Sequence, residues 1–208
     1  MSVFLDAAGG DEPPFLLNHP NFYTAIQSGK TMEETILTTT LIYSGRVVTL
    51  NVHTVHLPDG NQAQREIIQH AGAVAIIAVD ADQHVLLVRQ FRLGANQIML
   101  EIPAGTLEPG EPPESCAARE LREETGYRPL HLDYMGGLYA APGYTTEYVH
   151  LFYTNAIEPA PLAQDADEFL ESTRIPLLDA LALIDSGAIN DSKTVIGLLR
   201  VARRLGIA

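Results

Sequence analysis

Lysine is nearly absent from this sequence. Across 208 residues only Lys30 and Lys193 occur, against 26 acidic residues and a net charge of −13. That composition opposes a broad basic surface, so nucleic acid is not an expected partner. Cysteine is scarcer still: with Cys116 alone, intrachain disulfides and cysteine-based zinc sites are ruled out. The longest apolar runs, such as 73–79, are strand-sized and far short of the ~18–20 residues of a spanning helix. The opening "MSVFLDAAGGDEPPF" has neither a basic start nor a long apolar stretch. No signal peptide and no membrane partner are expected, and the expected location is cytoplasmic. Internal repeats and low-complexity tracts are missing too.

What is present suffices for one domain with a real core, preceded by a mixed polar arm. Acidity by itself can serve solubility alone. An acidic chain can still bind a small anion if local arginines or bound cations overcome its own field.

From Ile36 to Leu57 the β-branched density predicts two strands, broken at Ser44-Gly45. "PDGN" (58–61) is a turn signal that returns the chain into a third strand, "REIIQHA". The continuous apolar run 73–79 reads as a central strand, and "HVLLVRQF" (84–91) as another buried one. Strands are also expected over 132–140 and 147–154. Two helices close the chain, one over 176–187 stopping at Gly187, the other over 190–206 with Asp191 or Ser192 as cap. One further helix, over the segment 104–127, sits among the strands. The arrangement is α+β, a mixed sheet flanked by helices. His53 and His56 are three apart in a strand, so they point to opposite faces and do not share a metal. Cys116 reads as a small packing residue.

The embedded helix raises the functional question, because "AGTLEPGEPPESCAARELREETGY" (104–127) crowds six glutamates around it. Pro112 and Pro113 suit its first turn and Gly126 its stop. Glu120 and Glu124 are four apart on one face, Glu123 flanks them, and Arg119 stands four before Glu123. Such a patch is either a solvated face or a site for a hard divalent cation, which prefers oxygen ligands. Helical spacing by itself leaves both open. Gly105, Glu111, Arg119, Glu120, Leu121, Glu123, Glu124, Gly126 and Tyr127 fit G-x₅-E-x₇-R-E-U-x-E-E-x-G-U, where U is a bulky apolar residue. Seven fixed identities coincide by chance at about 10⁻⁹ per starting position.

This pattern is the Nudix box, and the chain resembles a Nudix hydrolase. The resemblance implies an α/β/α sandwich with a mixed β-sheet, plus an N-terminal β-rich extension. It divides the chain into a dimer-forming segment 1–65 and a hydrolase domain 66–208. It further implies metal-dependent cleavage of a nucleoside diphosphate linked to another moiety, with Mg²⁺ or Mn²⁺ as cofactor. Glu120, Glu123, Glu124 and the Ala104 carbonyl would be metal ligands, and Arg119 would brace the box together with Glu111. "VRQFR" (88–92), "EIPAG" (101–105) and Pro142, fifteen residues beyond Tyr127, are similar to the ADP-ribose pyrophosphatase branch. On that branch Arg65, Glu66, Arg92 and Glu101 would bind a nucleotide-sugar substrate. Glu168, in "DADEFLE", would be the general base and a further metal ligand. Ala166 stands where some relatives carry a glutamate, which leaves Glu123, Glu147 and Asp165 as alternative bases. Phe22, Tyr23 and Tyr43 are candidates to stack on adenine, and a homodimer is expected. Other nucleotide sugars, GDP-mannose or ADP-glucose, are alternative substrates. A sensor that binds without turnover would be expected to carry a degenerate box, and this box keeps its carboxylates.

Overall fold

β4 (Ala73–Ala78) is the strand around which the molecule is organised, and all six of its residues are buried. The computed structural model describes residues 32–163 and 169–207. Small and branched apolar side chains on both faces of β4 leave no face for water, so each must be covered. β4 pairs in parallel with β10 (Tyr148–Thr154) and antiparallel with β7 (Ala104–Thr106), while β9 (Asp133–Tyr139) lies on the far side of β10.

One face of this sheet is covered by α1 (Pro113–Thr125), whose Cys116, Ala117 and Leu121 pack with Val74, Ile76, Ala78 and Phe152. The alternate residues Ala75, Ile77, Val79 and Leu151 face the other way. There they meet Leu177 and Ala180 of α2 (Leu177–Asp185) and Leu198 and Val201 of α3 (Ser192–Arg204). Each large apolar side chain buried in this way stabilises the fold by about 1.5–3 kcal/mol. A methyl group on Gly197 would come within 3.0 Å of Ile77 and 3.1 Å of Ile102, so glycine lets α3 lie directly on the sheet. The result is helix, mixed sheet, helix, as expected.

A second sheet, β12–β5–β6, is antiparallel and joins Leu170–Pro176, His84–Arg92 and Gln97–Glu101. Only the first half of β5 is as buried as expected. Val85–Val88 are in the core, whereas Phe91 is 54% exposed where the strand runs out past the sandwich. Two short strands, β8 (Tyr127–Pro129) and β11 (Ile157–Pro159), form a ribbon that the sequence pattern did not signal.

The N-terminal sheet consists of β1 (Thr35–Ser44), β2 (Thr49–His56) and β3 (Gln62–Gln69), all antiparallel. Its turns fall where expected, after Ser44 and around Gly60, whose φ of +91° suits glycine. The boundary expected between residues 65 and 66 lies inside β3. The Ile68 amide donates to the Tyr144 carbonyl at 2.8 Å, tying this sheet to the loop before β10. β1 is exposed along its whole length, including Ile36, Leu41, Ile42 and Tyr43. His53 is buried and His56 exposed, on opposite faces.

The helix ends follow their sequence signals. Pro112 and Pro113 open α1, and Gly126 closes it in the left-handed conformation at φ 78°. The Asp191 side chain caps α3 by accepting from the Thr194 amide. Among the described residues, no helix is long and apolar enough to cross a membrane.

Candidate active site

A cleft of about 770 Å³ opens where the β5–β6 hairpin, the 104–109 segment, α1, the start of β10 and the start of α3 converge. Its lining includes Arg92, Glu101, Ala104, Gly105, Arg119, Glu120, Glu147 and Lys193. Arg46, Val47 and His70 reach it from the N-terminal sheet.

Arg119 is the hub of the box. Its Nε and Nη2 donate to the two oxygens of Glu111, both at 3.0 Å, a bidentate pair that ties the loop before α1 to the helix. Its Nη1 donates to Glu120 Oε1 at 2.8 Å and to Glu123 Oε2 at 2.9 Å. One guanidinium thus holds two of the expected ligands by their oxygens. The third, Glu124, accepts the Ala104 amide at 3.0 Å, which draws it against the segment whose carbonyl is also an expected ligand. Gly105 explains itself: a β-carbon there would stand 1.9 Å from the Glu120 carboxyl carbon. The backbone is bare at this point so that a carboxylate can lie on it. An all-oxygen donor set in a cradle that any side chain would fill fits a hard divalent cation.

Across the cleft is a second hub, Glu101, which is 1% exposed. Arg92 donates Nε and Nη2 to its two oxygens, each at 2.8 Å, and Lys193 Nζ donates to Oε2 at 2.5 Å. Lys193 also pairs with the helix cap Asp191 at 3.0 Å. Burial pushes the Glu101 carboxyl up, but the Arg92 hydrogen bonds and the Lys193 charge outweigh it, and the group stays ionised below its ordinary range.

Residues 69–195 match the NUDIX domain family. The chain belongs to the Nudix family. It is 40% identical to an ADP-ribose pyrophosphatase of Bacillus subtilis over 81% of this chain and 92% of that protein. It is 41% identical to a methanol dehydrogenase activator of Bacillus methanolicus, over 82% and 93% respectively. Among solved structures, an ADP compounds hydrolase superposes with a TM-score of 0.75 at 25% identity, covering 86% of this chain and all of that one.

Within this Nudix chain the expected site residues fall into four groups. Arg92, Glu101, Ala104, Arg119 and Glu120 line one cleft. Glu123 and Glu124 are joined to it through Arg119 and Ala104. Arg65 and Glu66 stand on β3, outside the cleft lining, and Arg65 is engaged by Glu34, with Nε to Oε2 at 3.0 Å. Glu168, Asp165, Phe22 and Tyr23 lie outside the described residues. Lys193 was not anticipated. Its signal was there to be read, a rare lysine two residues beyond a helix cap.

Metal-type ligand atoms also converge outside the cleft, at Asp80, Asp82 and His84 in the β4–β5 turn, where they lie within 4.8 Å of one another. None of the three lines the cleft. Arg174 already supplies the positive charge there, with Nε 2.9 Å from Asp80 Oδ2.

Cys116 is buried under the box, and burial, helped by Glu111, pushes its thiol up to about 12. It is a packing residue and no nucleophile. Glu111 moves the other way, to about 2, because Arg119 hydrogen-bonds its charged form. A depressed carboxyl stabilises the native state above its unfolded value near ~4.3, and that contribution is lost as pH falls toward 2. Acid denaturation followed by circular dichroism is therefore expected to be steeper between about pH 4.5 and 2 in the wild type than in Glu111→Gln. Parallel acid limbs in the two proteins would refute this.

Proposed function

We propose that this Nudix enzyme hydrolyses the pyrophosphate of ADP-ribose to AMP and ribose 5-phosphate, with Mg²⁺ or Mn²⁺ as cofactor. The observation that carries the reading is Arg119 gathering Glu120 and Glu123 beside a Gly105 that leaves room for the Glu120 carboxylate. Glu120, Glu123, Glu124 and the Ala104 carbonyl would hold the cation. When bound, it supplies charge neutralisation at the pyrophosphate oxygens and an acidified water.

The rest of the work belongs to the chain's own groups. Arg92 and Lys193, fixed by Glu101, offer their remaining N–H groups to phosphate or sugar oxygens. Arg119 keeps the carboxylates aligned rather than touching substrate. Glu168 takes the proton of the attacking water. Glu147, on the cleft wall, takes that role if Glu168 does not. The hydroxyl joins one phosphorus as the bridging P–O bond breaks, and the proton taken by the base passes on to the departing phosphate, which restores the base. The name borne by the Bacillus subtilis relative supports ADP-ribose as substrate. GDP-mannose is the second reading, supported by GDP-mannose pyrophosphatases such as that of Yersinia enterocolitica, at 32% identity.

The exposed apolar side chains of β1 support a homodimer built through the N-terminal sheet, which would let Arg65 and Glu66 serve a partner's cleft. Sedimentation at the mass of a single 22.6-kDa chain would count against it.

The deciding experiment is product release from ADP-ribose, ADP-glucose, GDP-mannose and a dinucleoside polyphosphate, each with Mg²⁺ and with EDTA. Mg²⁺-dependent turnover that favours ADP-ribose is the expected result. Preference for GDP-mannose would retire the substrate and keep the chemistry, and turnover of none would retire both.

A further inference from the structure

The Asp191 side chain caps α3 with one of its two oxygens. Oδ2 accepts from the Thr194 amide at 3.0 Å and from Thr194 Oγ1 at 2.6 Å, and Lys193 Nζ pairs with the same oxygen at 3.0 Å. Thr194 is fully buried, and its hydroxyl accepts the Ile102 amide at 3.0 Å, which fixes the cap to the residue that follows Glu101. Asp191 itself lines the cleft beside Lys193. Its Oδ1 is the oxygen that the cap does not use.

A carboxylate can only accept, so Oδ1 and a phosphate oxygen repel each other. The group that suits Oδ1 is a neutral donor. Lys193 sets where that donor lies: Nζ meets Glu101 and Asp191, and its third N–H is left to offer to a phosphate. A donor beside such a phosphate in a nucleotide sugar is a ribose hydroxyl, because an amino group on the base is a whole sugar farther away.

We propose that Asp191 is a specificity-determining residue that reads the sugar, its Oδ1 accepting a hydroxyl of the ribose next to the phosphate held by Lys193. The inference rests on the nucleotide-sugar reading of the site. An acceptor already fixed as a helix cap loses little freedom when the hydroxyl arrives, which favours the contact.

Two riboses flank the pyrophosphate of ADP-ribose. Ribose 5-phosphate carries one, AMP carries the other, and inorganic phosphate carries neither. Binding of these three ligands with Mg²⁺ present would be measured by titration calorimetry for the wild type, Asp191→Asn and Asp191→Ser. Both replacements cap a helix about as well as aspartate. In Asp191→Asn the groups around Oδ2 turn the amide oxygen toward the cap, so an NH₂ group takes the place of Oδ1. The ligand whose ribose meets Asp191 is expected to bind about 5- to 50-fold more weakly in both variants. Inorganic phosphate should bind as well as in the wild type or better, since a repelling charge is gone.

Weakening of ribose 5-phosphate places Asp191 at the terminal sugar, and weakening of AMP places it at the nucleotide's own ribose. Equal losses for all three ligands would mean that Asp191 only holds Lys193 in place, and would overturn the inference. Unchanged binding of both sugar phosphates, or binding of neither by the wild type, would overturn it as well. ADP-ribose turnover by the same wild-type protein reports separately on the substrate. The expected binding pattern without that turnover keeps the hydroxyl contact and removes only the proposed reaction.

Discussion

Glu120→Gln is expected to lower metal-dependent turnover of ADP-ribose by about 10³-fold or more while leaving the fold intact. The amide fills the same space against Gly105, where no larger group fits. Its carbonyl can still accept from Arg119 Nη1, so the Arg119–Glu111 pair that ties loop to helix is undisturbed. What disappears is an anionic oxygen, the feature a hard cation requires. Removing one of several mutually repelling carboxylates also relieves the box when no cation is bound. Thermal stability without metal should therefore equal or exceed that of the wild type, while the rise in Tm on adding Mg²⁺ should shrink. The two readouts move apart only if Glu120 serves a cation. Turnover within tenfold of the wild type would end that reading. A large fall in Tm without metal would show that Glu120 is needed for structure instead.

The box was legible because its chemistry is local. One helix and the loop before it carry Gly105, Glu111, Arg119, Glu120, Glu123 and Glu124, and helical spacing alone places the glutamates together. The central strand was legible for a similar reason, since an unbroken apolar run must be buried on both faces. What the pattern hid was everything that depends on distant segments meeting. Glu101 reads as one carboxylate in "EIPAG", and nothing nearby in sequence says that Lys193, 92 positions away, will share its Oε2 atom. Tyr43 reads as an available ring, and its position over Gly45 emerges only from the folded hairpin. The β8–β11 ribbon escaped notice because three residues are too few to show a period.

That distant meeting has a measurable consequence at Glu101. Glu101→Gln is expected to cost about 3 kcal/mol, since it leaves two cations facing a neutral group in place of a buried anion. For a chain of this size that is about 6–12 °C in Tm. The value sits at the low end for a broken buried pair because Arg92 is 41% exposed and Lys193 16% exposed, so water can reach both. Isolated burial of the pair would have cost more. Replacing all three at once, with Glu101→Leu, Arg92→Met and Lys193→Met, removes the charges that meet at Glu101 and leaves Asp191, which loses Lys193, its hydrogen bonds from Thr194. It should recover most of the lost stability, as apolar substitutes for buried ion networks often do. It should not recover turnover, because the cations that face the cleft are gone. Stability and activity thus part company across the two proteins. Full stability in Glu101→Gln would mean that Arg92 and Lys193 are held by something other than this carboxylate. Turnover in the triple variant would mean that neither cation touches the substrate.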